Sequence, residues 1–152
     1  ASRPDFDGRH LVVNGSSQGG GFSLIMAGMN PQVTAIAPSV PALCDHAGIT
    51  AGRSSGWPGL CSSALEKEQQ RAYLDMAGYY DAVNFARKTP SRVPVIMAVG
   101  FVDTTCCPSS VYSAFNVLQG TKRIFPGPNI GHGSVPEFEN FKQTWMKEQL
   151  GL

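Results

Sequence analysis

The stretch Val12-Val13-Asn14-Gly15-Ser16-Ser17-Gln18-Gly19-Gly20-Gly21 restricts what this chain can fold into more than any other. A short β-branched run passes into Gly-x-Ser-x-Gly, and then into Phe22 to Met29, which is apolar or small nearly all round. Glycine and serine between regular elements often mark no more than a flexible turn. These flanks instead predict a strand, a very tight turn and a helix, and that context gives the glycine spacing its meaning. In such a turn the side chains two before and two after the serine collide unless both are tiny. Gly15 and Gly19 meet that demand for Ser17, and nothing meets it for Ser16. Gly20 is expected to let the helix lie close to the sheet. The N–H of Gln18 falls at the helix N-terminus, where an unpaired donor favours a developing negative charge.

The rest of the chain supplies a frame for that turn. Leu11 to Val13 is too apolar to alternate, as expected of a strand buried on both faces. Asn30-Pro31 ends the first helix, and Val33 to Ala37 reads as a second buried strand closed by Pro38 and Pro41. Residues 46–64, with Trp57-Pro58, form an irregular, cap-like excursion rich in Gly and Ser. Leu65 to Lys88 is helical in composition, with a break near Gly78. Val93 to Val99 is a third apolar strand, Ser110 to Leu118 a helix stopped by Gly120, and Lys122 to Phe125 a short strand. After the loop Pro126 to Gly133, Ser134-Val135-Pro136-Glu137 matches a capping box. Phe138, Phe141 and Trp145 follow at helical spacing. The alternation of strand and helix without hairpin signals predicts an α/β fold: an open, mainly parallel sheet with helices on both faces.

A serine hydroxyl is a weak nucleophile unless a base takes its proton and an acid holds the base. In a doubly wound sheet these groups converge at the C-terminal edge, in chain order serine, acid, histidine. Asp103 stands just past the end of the third strand, and His132, flanked by Gly131 and Gly133, follows the fourth. Three polar residues after three strands in that order point to Ser17, Asp103 and His132 as nucleophile, acid and base. His10 precedes the first strand, at the opposite edge, and reads as a surface residue. Asp45 is the rival acid, following the second strand. Asp81 lies in helical sequence and reads as a structural or capping group. His46 and Trp57 are candidates for the wall of a substrate pocket.

Composition narrows the partners. With 42% apolar and 15% charged residues and a net charge of +1, the chain has no basic cluster for nucleic acid. No apolar run approaches a membrane span, and no signal peptide stands at Ala1 to His10, which leaves localisation open. Cys44, Cys61, Cys106 and Cys107 are too few and too irregular for a disulfide framework or a zinc site. Free or incidentally paired thiols are the expectation, with no metal and no cofactor.

"GSSQGGG", "PALCDH", "YYDAVNFARK", "VPVIMAVGFVDTTCCPSSVYSAFN" and "GHG" together resemble the acetyl xylan esterase / cephalosporin C deacetylase family of α/β hydrolases. The similarity covers most of the chain, and "YYDAVNFA" and "GFVDTTCCPSSVYSAFN" are more specific than the serine turn. The resemblance implies a metal-free Ser-Asp-His esterase acting on small acetylated esters and sugars. It makes Ser17 the nucleophile, Asp103 the acid, His132 the base and Gln18 an oxyanion donor. Two departures stand out. Gly133 follows the histidine where the family usually carries glutamate, and the family's first strands and Arg-Gly-Gln segment have no counterpart. A serine peptidase of the prolyl-oligopeptidase type shares the turn, and an inactive hydrolase fragment serving as a binding module is the non-enzymatic alternative. Residues 1–152 are expected to form one catalytic domain lacking the usual N-terminal strands, since Ala1 to Arg9 is short and polar. The first strand would then lie at a sheet edge, partnered by a missing N-terminal segment or another copy.

Overall fold

Each apolar run becomes one strand of a single sheet. In a computed structural model that describes Pro4 and residues 6–152, the strands are β1 (Val12–Ser16), β2 (Ala35–Ser39), β3 (Val95–Gly100) and β4 (Lys122–Gly127). They lie in chain order, all parallel. The helices are α1 (Gln18–Met29), α2 (Lys67–Ala77), α3 (Ala82–Ala86), α4 (Pro108–Val117) and α5 (Pro136–Gln149). Of the polar stretch Ala1 to Arg9, residues 1–3 and 5 lie outside the described residues, and Phe6 to Arg9 form no strand.

Parallel neighbours in chain order need crossovers of one hand, so the connecting helices collect on one face. Val95, Met97 and Val99 of β3 pack there with Leu24 of α1, Ala82 and Ala86 of α3, and Val111 and Ala114 of α4. The intervening Ile96 and Ala98 point to the other face, where Phe125, Val135 and Phe138 cover them. The period of two along β3 thus feeds two cores. α5, following the last strand, turns back to the second face. Phe125 packs edge-on against Phe138 with centroids 5.7 Å apart.

Several boundaries differ from the sequence reading for physical reasons. β2 runs through Pro38; its ladder to β3 registers Ile36 with Val95 and Ser39 with Ala98, with the N–H-less proline between them. β4 continues through Pro126, which an outer strand tolerates. The long helical stretch breaks into α2 and α3 at Gly78 to Asp81. α4 ends at the extended Leu118, before Gly120. Gly120 answers a different need: a Cβ there would lie 2.1 Å from the Ser91 carbonyl oxygen. The capping box does not form. Val135 is the N-cap of α5, no side chain caps the helix, and Ser134 is exposed. Burial of Val135 beside Phe138 sets that helix start, with Pro136 already holding a helical φ.

β1 is only half-buried, not covered on both faces, and among the described residues it pairs with β2 alone. The outer face of α1 is likewise open. Phe22, Met26 and Met29, spaced as one helical stripe, are 50%, 40% and 66% exposed. No helix among the described residues is long and apolar enough to cross a membrane.

Because Phe138 is fully buried and ties α5 to the sheet, Phe138→Ala is expected to cost about 3–5 kcal/mol. Urea unfolding of the variant checks this.

Candidate active site

The turn between β1 and α1 places Ser17 at φ 54° and ψ −117°, outside the regions an L-residue ordinarily occupies. Such strain costs about 1–3 kcal/mol and persists only where surrounding bonds over-determine it. Three backbone hydrogen bonds do so here. The Ser17 N–H donates to the Ser39 carbonyl (3.0 Å), and the Ser17 carbonyl accepts from Gly21 (3.0 Å) and Ala42 (2.9 Å). The turn is therefore held by its own helix and by the exit of β2.

The two glycines of the motif have unequal roles. A Cβ on Gly15 would lie 2.4 Å from the Gly19 carbonyl carbon, so the strand can pass under the helix only with glycine there. A Cβ on Gly19 would meet nothing within 4 Å, which corrects the expectation that position 19 is sterically closed. Gly20 does allow close packing of helix on sheet, its Cβ position being 2.9 Å from the Ser39 carbonyl oxygen. Gln18 is the first residue of α1, so its N–H has no carbonyl within the helix to bond.

Asp103 leaves β3 in a turn that buries its carboxylate completely. Its Oδ1 accepts the N–H groups of Thr105 (2.8 Å) and Cys106 (2.9 Å), leaving Oδ2 for the His132 Nδ1 at 2.9 Å. With Nδ1–H donated to Asp103, the hydrogen-bond network assigns the other ring nitrogen as acceptor. That nitrogen, Nε2, lies 2.8 Å from Ser17 Oγ. The exit loops of β3 and β4 are tied together directly. Phe101 N–H donates to the Gly127 carbonyl (2.9 Å) and Val102 N–H to the Ile130 carbonyl (3.2 Å). Gly100 makes this approach possible, since a Cβ there would lie 2.5 Å from the carbonyl oxygens of Ile130 and Gly131. Chemically, the row carboxylate–imidazole–hydroxyl can take a proton from Ser17 and hold the resulting imidazolium against a buried anion.

The other singled-out residues are elsewhere. His10 Nδ1 pairs with Asp7 Oδ2 at 2.5 Å in a local turn. Asp45 is bound by the Arg53 guanidinium at 3.0 Å. Asp81 caps α3 through the Val83 N–H, and also accepts from the backbone of Asp45 and His46. His46 is buried in a short 3₁₀ helix, His46–Ala51, with which the excursion begins. It lines an apolar cavity of about 410 Å³ with Leu43, Pro58, Leu60, Tyr73 and Tyr80. Ser17, Asp103 and His132 do not line that cavity, and neither does Trp57, whose side chain is 42% exposed. A larger cavity, about 600 Å³, lies between the 3₁₀ helix and α2 and also excludes the three.

All four cysteines are free. Burial, then the neighbouring Asp103 carboxylate, pushes the Cys106 thiol up to about 12. Ligand atoms of Asp103, Cys106 and His132 lie within 4.8 Å of one another, a grouping able to hold a metal ion. Both ring nitrogens of His132 are already engaged, so a cation there would have to displace Asp103 or Ser17. Sequence reasoning treated Cys106 as an incidental thiol and passed over Gly100. The signal for both was their closeness to Asp103 in a strand-to-helix turn.

The model of the family described as acetyl xylan esterase (AXE1) matches residues 1–150. The acetyl esterase Axe7A of Xylanibacter ruminicola is 35% identical over 149 residues, 98% of this chain and 33% of that protein. The crystal structure of acetyl xylan esterase 1 from Thermoanaerobacterium sp. JW/SL YS485 superposes with a TM-score of 0.81 at 28% identity. The acetyl xylan esterase from Paenibacillus sp. R4 gives 0.80 at 27%. Each of these superpositions covers 97% of this chain and 48% of the other. The chain therefore spans about half the length of these solved relatives and a third of the curated one. A puromycin hydrolase, at 18% identity and a TM-score of 0.68, shares the fold.

Gly15→Ala should destabilise the protein by more than about 2 kcal/mol, because the backbone of Gly19 cannot retreat without breaking the turn. Gly19→Ala should change stability by no more than about 1 kcal/mol, in either direction. Thermal melts of the two variants side by side check the asymmetry.

Proposed function

The chain belongs to the acetyl xylan esterase family of α/β hydrolases, and from that premise we propose that it carries the reacting groups of a serine carboxylesterase deacetylating small acetylated esters and sugars. The observation that carries this is the hydrogen-bonded row Asp103–His132–Ser17, with its 2.9 Å and 2.8 Å steps. Nε2 of His132 takes the Ser17 proton as Oγ attacks the acetyl carbonyl. Asp103, anchored by two backbone N–H groups, holds the ring and its charge. The free N–H of Gln18 at the start of α1 stabilises the oxyanion. Collapse expels the sugar hydroxyl, protonated by His132, and leaves an acetyl-enzyme. His132 then activates water to release acetate and restore Ser17. A peptidase reading of the same groups rests on fold likeness alone.

Residues 1–152 act in this proposal as one catalytic unit, with 46–64 as a cap-like excursion. The open edge of β1 and the Phe22–Met26–Met29 stripe are covered by polypeptide beyond these residues, which supplies a parallel neighbour to β1 and the second oxyanion donor. The doubled length of the solved relatives supports this, as does the cost of leaving strand N–H and C=O groups unpaired at an apolar edge.

Ser17→Ala in the full-length protein should abolish hydrolysis of p-nitrophenyl acetate and acetylated xylo-oligosaccharides with the fold retained. Activity within tenfold of wild type would rule Ser17 out as nucleophile. Asp103→Asn should lower kcat by about 10⁴-fold near neutral pH, because the asparagine no longer supports the required tautomer and charge of His132. Asp45→Asn should stay near wild type, and the reverse ranking would overturn the acid assignment. Residues 1–152 alone should be about 10²–10³-fold less active than the full-length protein, the cost of one lost oxyanion donor. Equal activity from a monomeric 1–152 fragment would refute the proposed completion.

A further inference from the structure

We propose that Asp103, Cys106 and His132 form an inhibitory site for a soft divalent cation of the zinc or cadmium class. The ion sits between the Asp103 carboxylate, the Cys106 sulfur and His132 Nδ1, and it stops the reaction by holding the imidazole in the wrong tautomer. That consequence rests on His132 being the base for Ser17; the site itself does not.

A carboxylate oxygen of Asp103, Sγ of Cys106 and a ring nitrogen of His132 all lie within 4.8 Å of one another. Among the described residues no other three His, Cys, Asp or Glu side chains gather in this way. Zinc holds oxygen and nitrogen at about 2.0–2.2 Å and sulfur at about 2.3 Å, so tetrahedral donors stand about 3.3–3.8 Å apart. Oδ2 and Nδ1 are at 2.9 Å and have only to open slightly. The other separations have to close by no more than about 1.5 Å to reach that range. Asp103 and Cys106 already share one turn, in which the Cys106 N–H donates to Asp103 Oδ1 at 2.9 Å. Both are buried, and the His132 side chain, 31% exposed, marks the way in.

The donor set selects the ion. Thiolate and imidazole suit zinc and cadmium, whereas magnesium and calcium take oxygen donors. Three protein ligands leave a fourth position for water. The Cys107 thiol, 3.8 Å from the Thr104 carbonyl, is not part of the group.

Binding changes no oxidation state. The Cys106 thiol gives one proton to solvent, the Nδ1–H···Oδ2 hydrogen bond breaks, and the ion gains bonds to sulfur, nitrogen and oxygen. The imidazole stays neutral, so its hydrogen moves from Nδ1 to Nε2. Nε2, 2.8 Å from Ser17 Oγ, then has no lone pair with which to take the serine proton.

The test uses the full-length protein with two readouts. One is the ultraviolet thiolate-to-cadmium charge-transfer band, and the other is the rate at which a fluorophosphonate probe labels Ser17. Cadmium chloride should raise the band to one ion per chain and slow labelling at least about tenfold, with zinc chloride slowing it likewise. EDTA should restore the rate, and magnesium chloride should leave it unchanged. Losing a group that merely supports a ligand costs about 10–100-fold in metal affinity, so Cys106→Ser should need at least about tenfold more cadmium for half-inhibition. That loss is judged against the variant's own metal-free rate, and the band should vanish with it. Cys107→Ser should keep both the band and the sensitivity. Equal inhibition of Cys106→Ser and wild type would overturn the proposal. So would a band lost in Cys107→Ser but kept in Cys106→Ser, or a saturated band with labelling undiminished. Should Cys106→Ser fail to fold, Cys106→Val is read in the same way. A wild-type protein that the probe never labels, even without metal, brings down the Ser17 assignment. The cadmium band then still decides the site, present in wild type and absent in Cys106→Ser if the site stands.

Discussion

The backbone at Ser17 is the constraint on which the rest of the site depends. A residue at φ 54° and ψ −117° relaxes unless it is held, and its N–H and C=O are bonded to Ser39, Gly21 and Ala42. Those partners come from α1 and from the end of β2, so the strained turn is stable only when both are packed on the sheet. The motif is thus not a self-contained loop. It is the point at which β1, α1 and β2 have to agree, and Gly15 and Gly20 remove the side chains that would stop them.

A second agreement brings His132 to Ser17. Asp103 and His132 lie on different exit loops, and the bonds Phe101–Gly127 and Val102–Ile130 stitch those loops together just above Gly100. A carboxylate buried without partners would be costly; Asp103 has two backbone donors and the imidazole, so its burial strengthens its hold on the ring. The same turn delivers Cys106 into the core beneath. Asp103 and His132 are therefore positioned by two adjacent parallel strands and the loops that leave them.

The opposite flank is less complete. β3 is covered on both faces and β4 lies against the aromatic group of α5, whereas β1 is half-buried and the outer stripe of α1 is exposed. Family relatives carry about as much chain again beyond the matched region. Ser17, Asp103 and His132 sit past the C-terminal ends of β1, β3 and β4, so one member of the row rests on the strand with the least support.

Much of this was legible in the sequence, because the signals were local or strictly ordered. Strand and helix alternation gave the parallel sheet, and Gly-x-Ser-x-Gly between a strand and a helix singled out Ser17. Chain order and position past a strand end chose Asp103 and His132 over Asp45 and His10. The fold motifs "YYDAVNFA" and "GFVDTTCCPSSVYSAFN" pointed to the family. What depended on direction in space was not legible. Spacing treats Gly15 and Gly19 alike, but only the packed backbone shows that the Cβ at one strikes the chain and the Cβ at the other points to open space. Ser134 and Glu137 have capping-box spacing, yet burying Val135 outweighed a hydroxyl bond at the surface. His46 follows the correct strand, but the apolar cavity it lines is not lined by Ser17. Periodicity and order along a chain determine which elements form and at which end of the sheet the polar groups gather; side-chain direction and the packing of distant segments, which only the tertiary structure decides, settle which of those groups touch.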